Sequence, residues 1–197
     1  HLLVGESERT SLDAIFKLKN YLFEQDVVDY VTIVEIPNER YCMHLDTIFT
    51  IIDEETCVGF APLMFEKNDK VDIVTYSRNN QRAVLHPTLK ELMQQIYPNM
   101  QFIACGNGIS PFAQREQWTD GCNFVTIKPG VAYCYERNLK TLEAFKQHGF
   151  SVISAKRILS ESYTLDELHK TIITIPSSEL SRARGGPHCM TFPISRI

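Results

Sequence analysis

The chain has 197 residues, 44% of them hydrophobic and 22% charged, a balance that suits an ordinary globular protein with one sizeable core. Its formal net charge is only −4, and no stretch gathers Lys and Arg into a phosphate-binding surface, so nucleic acid is not an expected partner. No run approaches the roughly 18 consecutive apolar residues that cross a bilayer, and the first residues lack the charged and apolar regions of a secretory signal. A soluble, cytoplasmic chain with no membrane partner is expected.

Six cysteines, at 42, 57, 105, 122, 134 and 189, are spread at wide and irregular intervals. That argues against a disulfide framework, and no Cys-x-x-Cys or Cys/His pairing suggests a structural metal. Most of these thiols are expected to be small buried hydrophobes. No cofactor is implied. The text opens at His1 in an apolar, strand-like run without an initiator methionine, as a piece of something longer would.

After the first strand, Leu12, Ile15, Phe16, Leu22 and Phe23 recur at helical spacing, with Thr10 or Ser11 as a natural cap. Tyr30 to Pro37 and Met43 to Asp53 read as strands, and Thr56 to Phe65 as a continuation of the same sheet. Glu66 to Arg82 resolves into no element. Thr88 and Glu91 then form a capping box that opens a helix ended by Pro98. A short strand at Gln101 to Cys105 leads into a loop from Gly106 to Thr119, which holds the only tryptophan, Trp118.

Asn123 to Tyr135 reads as a hairpin around Pro129-Gly130, the pair that suits the centre of a type II turn. A helix from Leu139 to His148 closes on Gly149. Strands follow at Phe150 to Ser154 and Ile172 to Ile175, with a second capping box, Thr164 and Glu167, between them. Strands arriving in pairs between single helices point to an α/β fold of ββαβ units rather than to a doubly wound parallel sheet.

Four kinds of side chain could do chemistry. His44 and Asp46 stand two apart in the expected strand, so both would lie on one face and could address one ligand; the alternative is the solvated face of an edge strand. Cys189 follows a double glycine in a segment with Arg182, Arg184 and His188, cations that would favour a thiolate; the alternative is an inert thiol after a tight turn. Arg9 and Arg184 could each fork onto a carboxylate, or be ordinary surface residues.

Three segments, in order, carry a resemblance: Gly5-Glu6-Ser7-Glu8-Arg9-Thr10-Ser11, Met43-His44-Leu45-Asp46-Thr47 and Ala183-Arg184-Gly185-Gly186-Pro187-His188-Cys189-Met190. Together they resemble the arginine deiminases of the guanidino-group-modifying, amidinotransferase superfamily. Thr119-Asp120-Gly121-Cys122-Asn123 before the Pro-Gly hairpin, and Ser178-Glu179-Leu180-Ser181, are similar to that family's connecting text.

The resemblance implies a pentein-type, five-bladed α/β propeller of ββαβ modules around a central site. It implies one domain over residues 1–197, the C-terminal half of a longer catalytic domain. Cys189 would be the nucleophile, His44 the general acid and base, and Asp46 the carboxylate that grips a guanidinium. Arg9 and Arg184 would hold the α-carboxylate of L-arginine, the substrate that the resemblance implies. The family also uses a glutamate in a Glu-Gly-Gly-Asp segment and a second guanidinium-binding aspartate, and both would precede His1. A homo-oligomer, or association with the missing N-terminal half, is then a natural expectation. A sister amidinohydrolase or amidinotransferase, or an incomplete fragment serving as a binding or assembly module, stands as the alternative.

Overall fold

The computed structural model describes residues 1–177, 180–183, 185–192 and 194, the side chains of Gln81 and Ala183 excepted. In chain order the elements are β1 (Leu2–Glu6), α1 (Leu12–Glu24), β2 (Tyr30–Glu35), β3 (Phe49–Asp53), β4 (Thr56–Gly59), α2 (Ala61–Met64), β5 (Asp72–Ser77), β6 (Asn80–His86), α3 (Leu89–Ile96) and β7 (Gln101–Ala104). They continue with α4 (Phe112–Trp118), β8 (Val125–Lys128), β9 (Val131–Tyr135), α5 (Leu139–Gln147), β10 (Ser151–Ser154), α6 (Ala155–Ser160) and β11 (Thr171–Ile175). The chain is a mixed α/β protein with three sheets among the described residues, and it divides into two compact units.

The first unit, His1–Leu45 with Pro62–Pro98, holds the sheet β1-β2-β5-β6, in which only the β1–β2 pair is parallel. Ser11 caps α1, its hydroxyl accepting from the Ala14 N–H at 3.4 Å, and α1 buries Ile15. Thr88 caps α3 in the same way, accepting from the Glu91 N–H at 3.0 Å, and that helix buries Leu89, Leu92 and Met93. A row of polar groups crosses the sheet: His1 Nε2 lies 2.7 Å from Thr32 Oγ1, Thr32 Oγ1 lies 2.6 Å from Thr75 Oγ1, and His86 Nε2 lies 2.9 Å from Thr75 Oγ1. Burial holds the His86 imidazole below its ordinary pKa, outweighing the upward pull of Glu91.

The second unit, Asp46–Ala61 with Asn99–Ile197, has two sheets, β3-β4-β7 and β10-β11-β9-β8. In the larger one, the β8–β9 hairpin turns through Gly130 at φ 74°, as the Pro-Gly pair requires. The chain then runs through α5 into β10, and β11 returns between β9 and β10, parallel to both. Paired strands, a helix and a further strand is the ββαβ order expected of the sequence. The core gathers Ile52, Val58, Ile103, Phe124, Leu142, Phe145 and Ile172, with the Phe145 ring 5.1 Å from Phe124 and 5.2 Å from Phe150.

Helix α5 has no side-chain cap of its own. The buried Glu116 of α4 reaches its first turn instead, accepting from the Lys140 N–H at 2.8 Å, the Thr141 N–H at 2.7 Å and the Thr141 hydroxyl at 2.7 Å. A carboxylate there satisfies open backbone donors and meets the positive end of the helix dipole.

Several expectations need correction. The strand expected from Met43 begins only at Phe49; Leu45–Thr47 is a 3-10 turn, so strand alternation does not set how His44 and Asp46 are arranged. Glu66 to Arg82, unresolved in sequence, contains β5 and the start of β6, whose pairing runs to Ser77 opposite Asn80. The loop from Gly106 to Thr119 contains α4, which buries Ala113, Glu116 and Gln117. The second capping box is present but opens only the 3-10 turn Leu165–Glu167. Among the described residues no helix is long and apolar enough to cross a membrane.

Candidate active site

Cys189 lies in the 3-10 turn His188–Met190, just after Gly185-Gly186-Pro187. All six cysteines are free thiols, and five are buried while Cys189 is exposed. Burial pushes the thiols of Cys57, Cys122 and Cys134 well up, which keeps them protonated and unreactive.

Asp46 faces Cys189. Its Oδ2 lies 3.9 Å from the Cys189 Sγ and 3.5 Å from the His188 Nδ1. The other oxygen, Oδ1, is buried with no hydrogen-bond partner among the described residues. The turn that carries Asp46 is fixed by two side-chain amides, because Asn123 Nδ2 donates to the Asp46 carbonyl at 3.2 Å and Gln117 Nε2 to the Thr47 carbonyl at 3.1 Å.

Asn123, itself fully buried, also holds the cysteine turn. Its Oδ1 accepts from the His188 N–H at 2.8 Å. A Cβ built on Gly186 would stand 2.2 Å from that same Oδ1, so only glycine lets the backbone lie this close to the amide. Tyr135 at the end of β9 donates its hydroxyl to the Gly185 carbonyl at 3.0 Å.

The Cys189 pKa is raised. Partial desolvation of the thiol is the main cause and the Asp46 carboxylate the second, while hydrogen bonds from the Gly186 N–H and the Asn123 side chain pull the other way. This corrects the expectation that nearby cations lower it. His188 lies against Asp46, and Arg184 falls outside the described residues, so the expectation placed on it does too.

The first unit carries the other two sequence candidates. His44 is exposed, in the bend just before the 3-10 turn. Arg9 is exposed, its Nη2 3.8 Å from the Met43 Sδ, next to His44 in sequence, and its Nε 3.3 Å from Glu8 Oε1. Gly5 lets β1 lie against Leu45, where a Cβ would come within 3.0 Å of the Leu45 Cβ.

The structure therefore brings Cys189 and Asp46 together, and Arg9 beside Met43. The sequence reading named His188 only as a cation near the thiol, not as a neighbour of Asp46, and missed Tyr135 and the bridging role of Asn123. Asn123 stood in the text Thr119 to Asn123, but its partners lie 77 and 65 positions away, beyond any local pattern. Among the described residues no three His, Cys, Asp or Glu side chains gather into a group that could hold a metal ion.

Comparison with known proteins gives one answer. A family model described as arginine deiminase matches residues 1–196. An arginine deiminase of Mycoplasma capricolum subsp. capricolum is 35% identical over 197 residues, covering 99% of this chain and 44% of the relative. An arginine deiminase of Staphylococcus aureus strain JH9 is 36% identical over 202 residues, with the same two shares, 99% and 44%. The chain thus spans less than half the length of these curated relatives. With a matched family model over nearly every residue, the chain belongs to the arginine deiminase family.

Proposed function

We propose that this chain carries the nucleophile and a guanidinium-binding carboxylate of an arginine deiminase, which hydrolyses L-arginine to L-citrulline and ammonia. The observation that carries the reading is the 3.9 Å approach of Asp46 Oδ2 to Cys189 Sγ. A guanidinium is a flat cation. A carboxylate accepts two parallel N–H bonds from it, and a carboxylate beside the sulfur holds the central carbon against the attacking atom.

In this proposal the Cys189 thiolate adds to the guanidinium carbon, and His44 delivers a proton to the departing nitrogen, which leaves as ammonia. The intermediate is an S-alkylthiouronium on Cys189. His44 then takes a proton from water, the resulting hydroxide adds to the same carbon, and the C–S bond breaks as the new hydroxyl gives its proton to solvent, releasing citrulline and the thiolate. Arg9 and Arg184 hold the substrate's α-carboxylate, which favours arginine over its decarboxylated amine, agmatine.

A free thiol with a raised pKa is a poor nucleophile at neutral pH. The bound guanidinium supplies the missing positive charge, offsetting Asp46 and lowering the cost of ionising the sulfur. The proposal extends to the architecture: residues 1–197 as part of one catalytic domain, a five-bladed propeller of ββαβ modules, in a cytoplasmic enzyme.

The test is incubation with L-arginine, followed by citrulline assay and mass spectrometry of Cys189. Citrulline, or a thiouronium adduct on Cys189 that is absent from Cys189→Ala, supports the reading. Neither product, with the chain folded and the remaining part of the enzyme supplied, overturns it. The 44% coverage of the relatives favours a second reading, an assembly module that is inactive alone and gains activity only with that remaining part.

A further inference from the structure

The sulfur of Cys189 is held by more than its own turn. Asn123 Oδ1 accepts from the His188 N–H beside it at 2.8 Å, and a Cβ on Gly186 would stand 2.2 Å from that same oxygen. Both the Asn123 side chain and the Gly186 N–H pull the Cys189 pKa down, as donors near the sulfur do. Asn123 is wired without ambiguity: the His188 N–H can only donate, so it meets Oδ1, and the Asp46 carbonyl can only accept, so it meets Nδ2. An amide nitrogen has two protons. One goes to Asp46, and the second is the one left for sulfur.

Tyr135 acts on the other donor. Its hydroxyl donates to the Gly185 carbonyl at 3.0 Å, and that carbonyl shares one planar peptide with the Gly186 N–H. In a trans peptide the C=O and N–H point in opposite directions. A donor that fixes and polarises the carbonyl therefore fixes the direction of the Gly186 N–H as well and strengthens it as a donor.

We propose that Asn123 and Tyr135 are positioning residues that hold the Gly185–Cys189 turn with two donors, the Gly186 N–H and the Asn123 amide, already aimed at the sulfur where thiolate charge develops. The inference rests on Cys189 being the nucleophile. Tyr135 is fully buried at the end of β9, and burial pushes its phenol up, so it stays a donor through the working pH range. Gly186 completes the device, since any side chain there would drive into Asn123.

The experiment is the pH profile of Cys189 alkylation by iodoacetamide, without substrate, in the wild type, Tyr135→Phe, Asn123→Asp and a core control, Phe150→Leu. Tyr135→Phe removes one hydroxyl and keeps the ring. Its inflection should rise by roughly one pH unit, with about a tenfold lower rate at neutral pH, the size expected when a donor to a charged group is weakened. Asn123→Asp keeps an acceptor for His188 but loses both donors and adds a negative charge, so its shift should be larger. Phe150→Leu should lower the thermal midpoint and leave the inflection in place.

A Tyr135→Phe inflection identical to the wild type overturns the proposal, whatever happens to stability. Should Asn123→Asp fail to fold, Tyr135→Phe alone decides. A shifted inflection in a protein that forms no citrulline even with the remaining part of the enzyme supplied leaves this inference standing and counts against the deiminase reading. Citrulline formation with an unmoved inflection does the reverse.

Discussion

Asp46 Oδ2 and Cys189 Sγ lie 3.9 Å apart although 143 positions separate the two residues in the chain. The pair works against itself in the empty site, because a carboxylate beside a thiol opposes its ionisation. In the proposed reaction the same carboxylate would bind the guanidinium of the substrate. The two effects of Asp46 therefore have opposite signs.

That opposition is measurable in Asp46→Asn. Iodoacetamide should alkylate Cys189 in this variant roughly three to ten times faster than in the wild type at pH 7, the effect of removing one charge from beside a partly exposed thiol. Arginine turnover and adduct formation should fall by at least 100-fold, the lower range for losing a group that positions the reacting atoms. A slower alkylation in Asp46→Asn would show that the carboxylate does not oppose thiolate formation.

Labelling of the native wild type should give one equivalent, on Cys189, because the other five thiols are buried. Since its pKa is raised, the protonated form dominates at neutral pH and the rate should climb with pH through and above the ordinary thiol range. The measurement is peptide mapping across a pH series. A rate already at its plateau at pH 7 would contradict the raised value.

Gly186→Ala tests the close approach to Asn123. The added Cβ would meet Oδ1, Cβ and Cγ of a buried side chain at 2.2 to 2.5 Å, and that amide is held at both ends. The expected loss is about 1–3 kcal/mol of stability, as for other overpacked sites, read as a lower urea midpoint. Cys189 should also label at an altered rate, because the turn must move to make room.

Acid should weaken the first unit through His86. Its pKa is lowered in the fold, so the unfolded chain binds the proton more readily. Its contribution is present above the ordinary imidazole value, about 6.5, and is lost as pH falls through the folded value, at no more than about 1.4 kcal/mol per pH unit. In urea titrations from pH 8 to 5, His86→Gln should show a flatter profile than the wild type. Glu6 has the opposite sign, since burial and the cross-strand Glu35 raise its pKa; Glu6→Gln should stabilise at pH 7 and lose that advantage in acid.

Elements written in local chemistry were legible in the sequence. Ser11 and Thr88 mark the starts of α1 and α3, Pro129-Gly130 the hairpin, and Gly149, at φ 84°, the end of α5. Elements set by distant partners were not. The apolar text from Phe49 onward belongs to β3, and extending it back to Met43 ignored the Leu45–Thr47 turn, which is held by Gln117 and Asn123. Helix α4 hides behind Gly, Ser and Pro at its entrance, and β5 and β6 behind alternating polar residues. The same holds for the site: Cys189 and Asp46 stood out as residue types, whereas Asn123 and Tyr135 matter through what they touch.

Because Glu116 closes the first turn of α5 from α4, the two helices are one cooperative element. The peptide 138–149 cut free would have neither a side-chain cap nor the carboxylate that replaces it, and its opening amides would exchange with solvent at once. In the intact chain, hydrogen exchange at Lys140 and Thr141 should report the integrity of α4 rather than of their own helix.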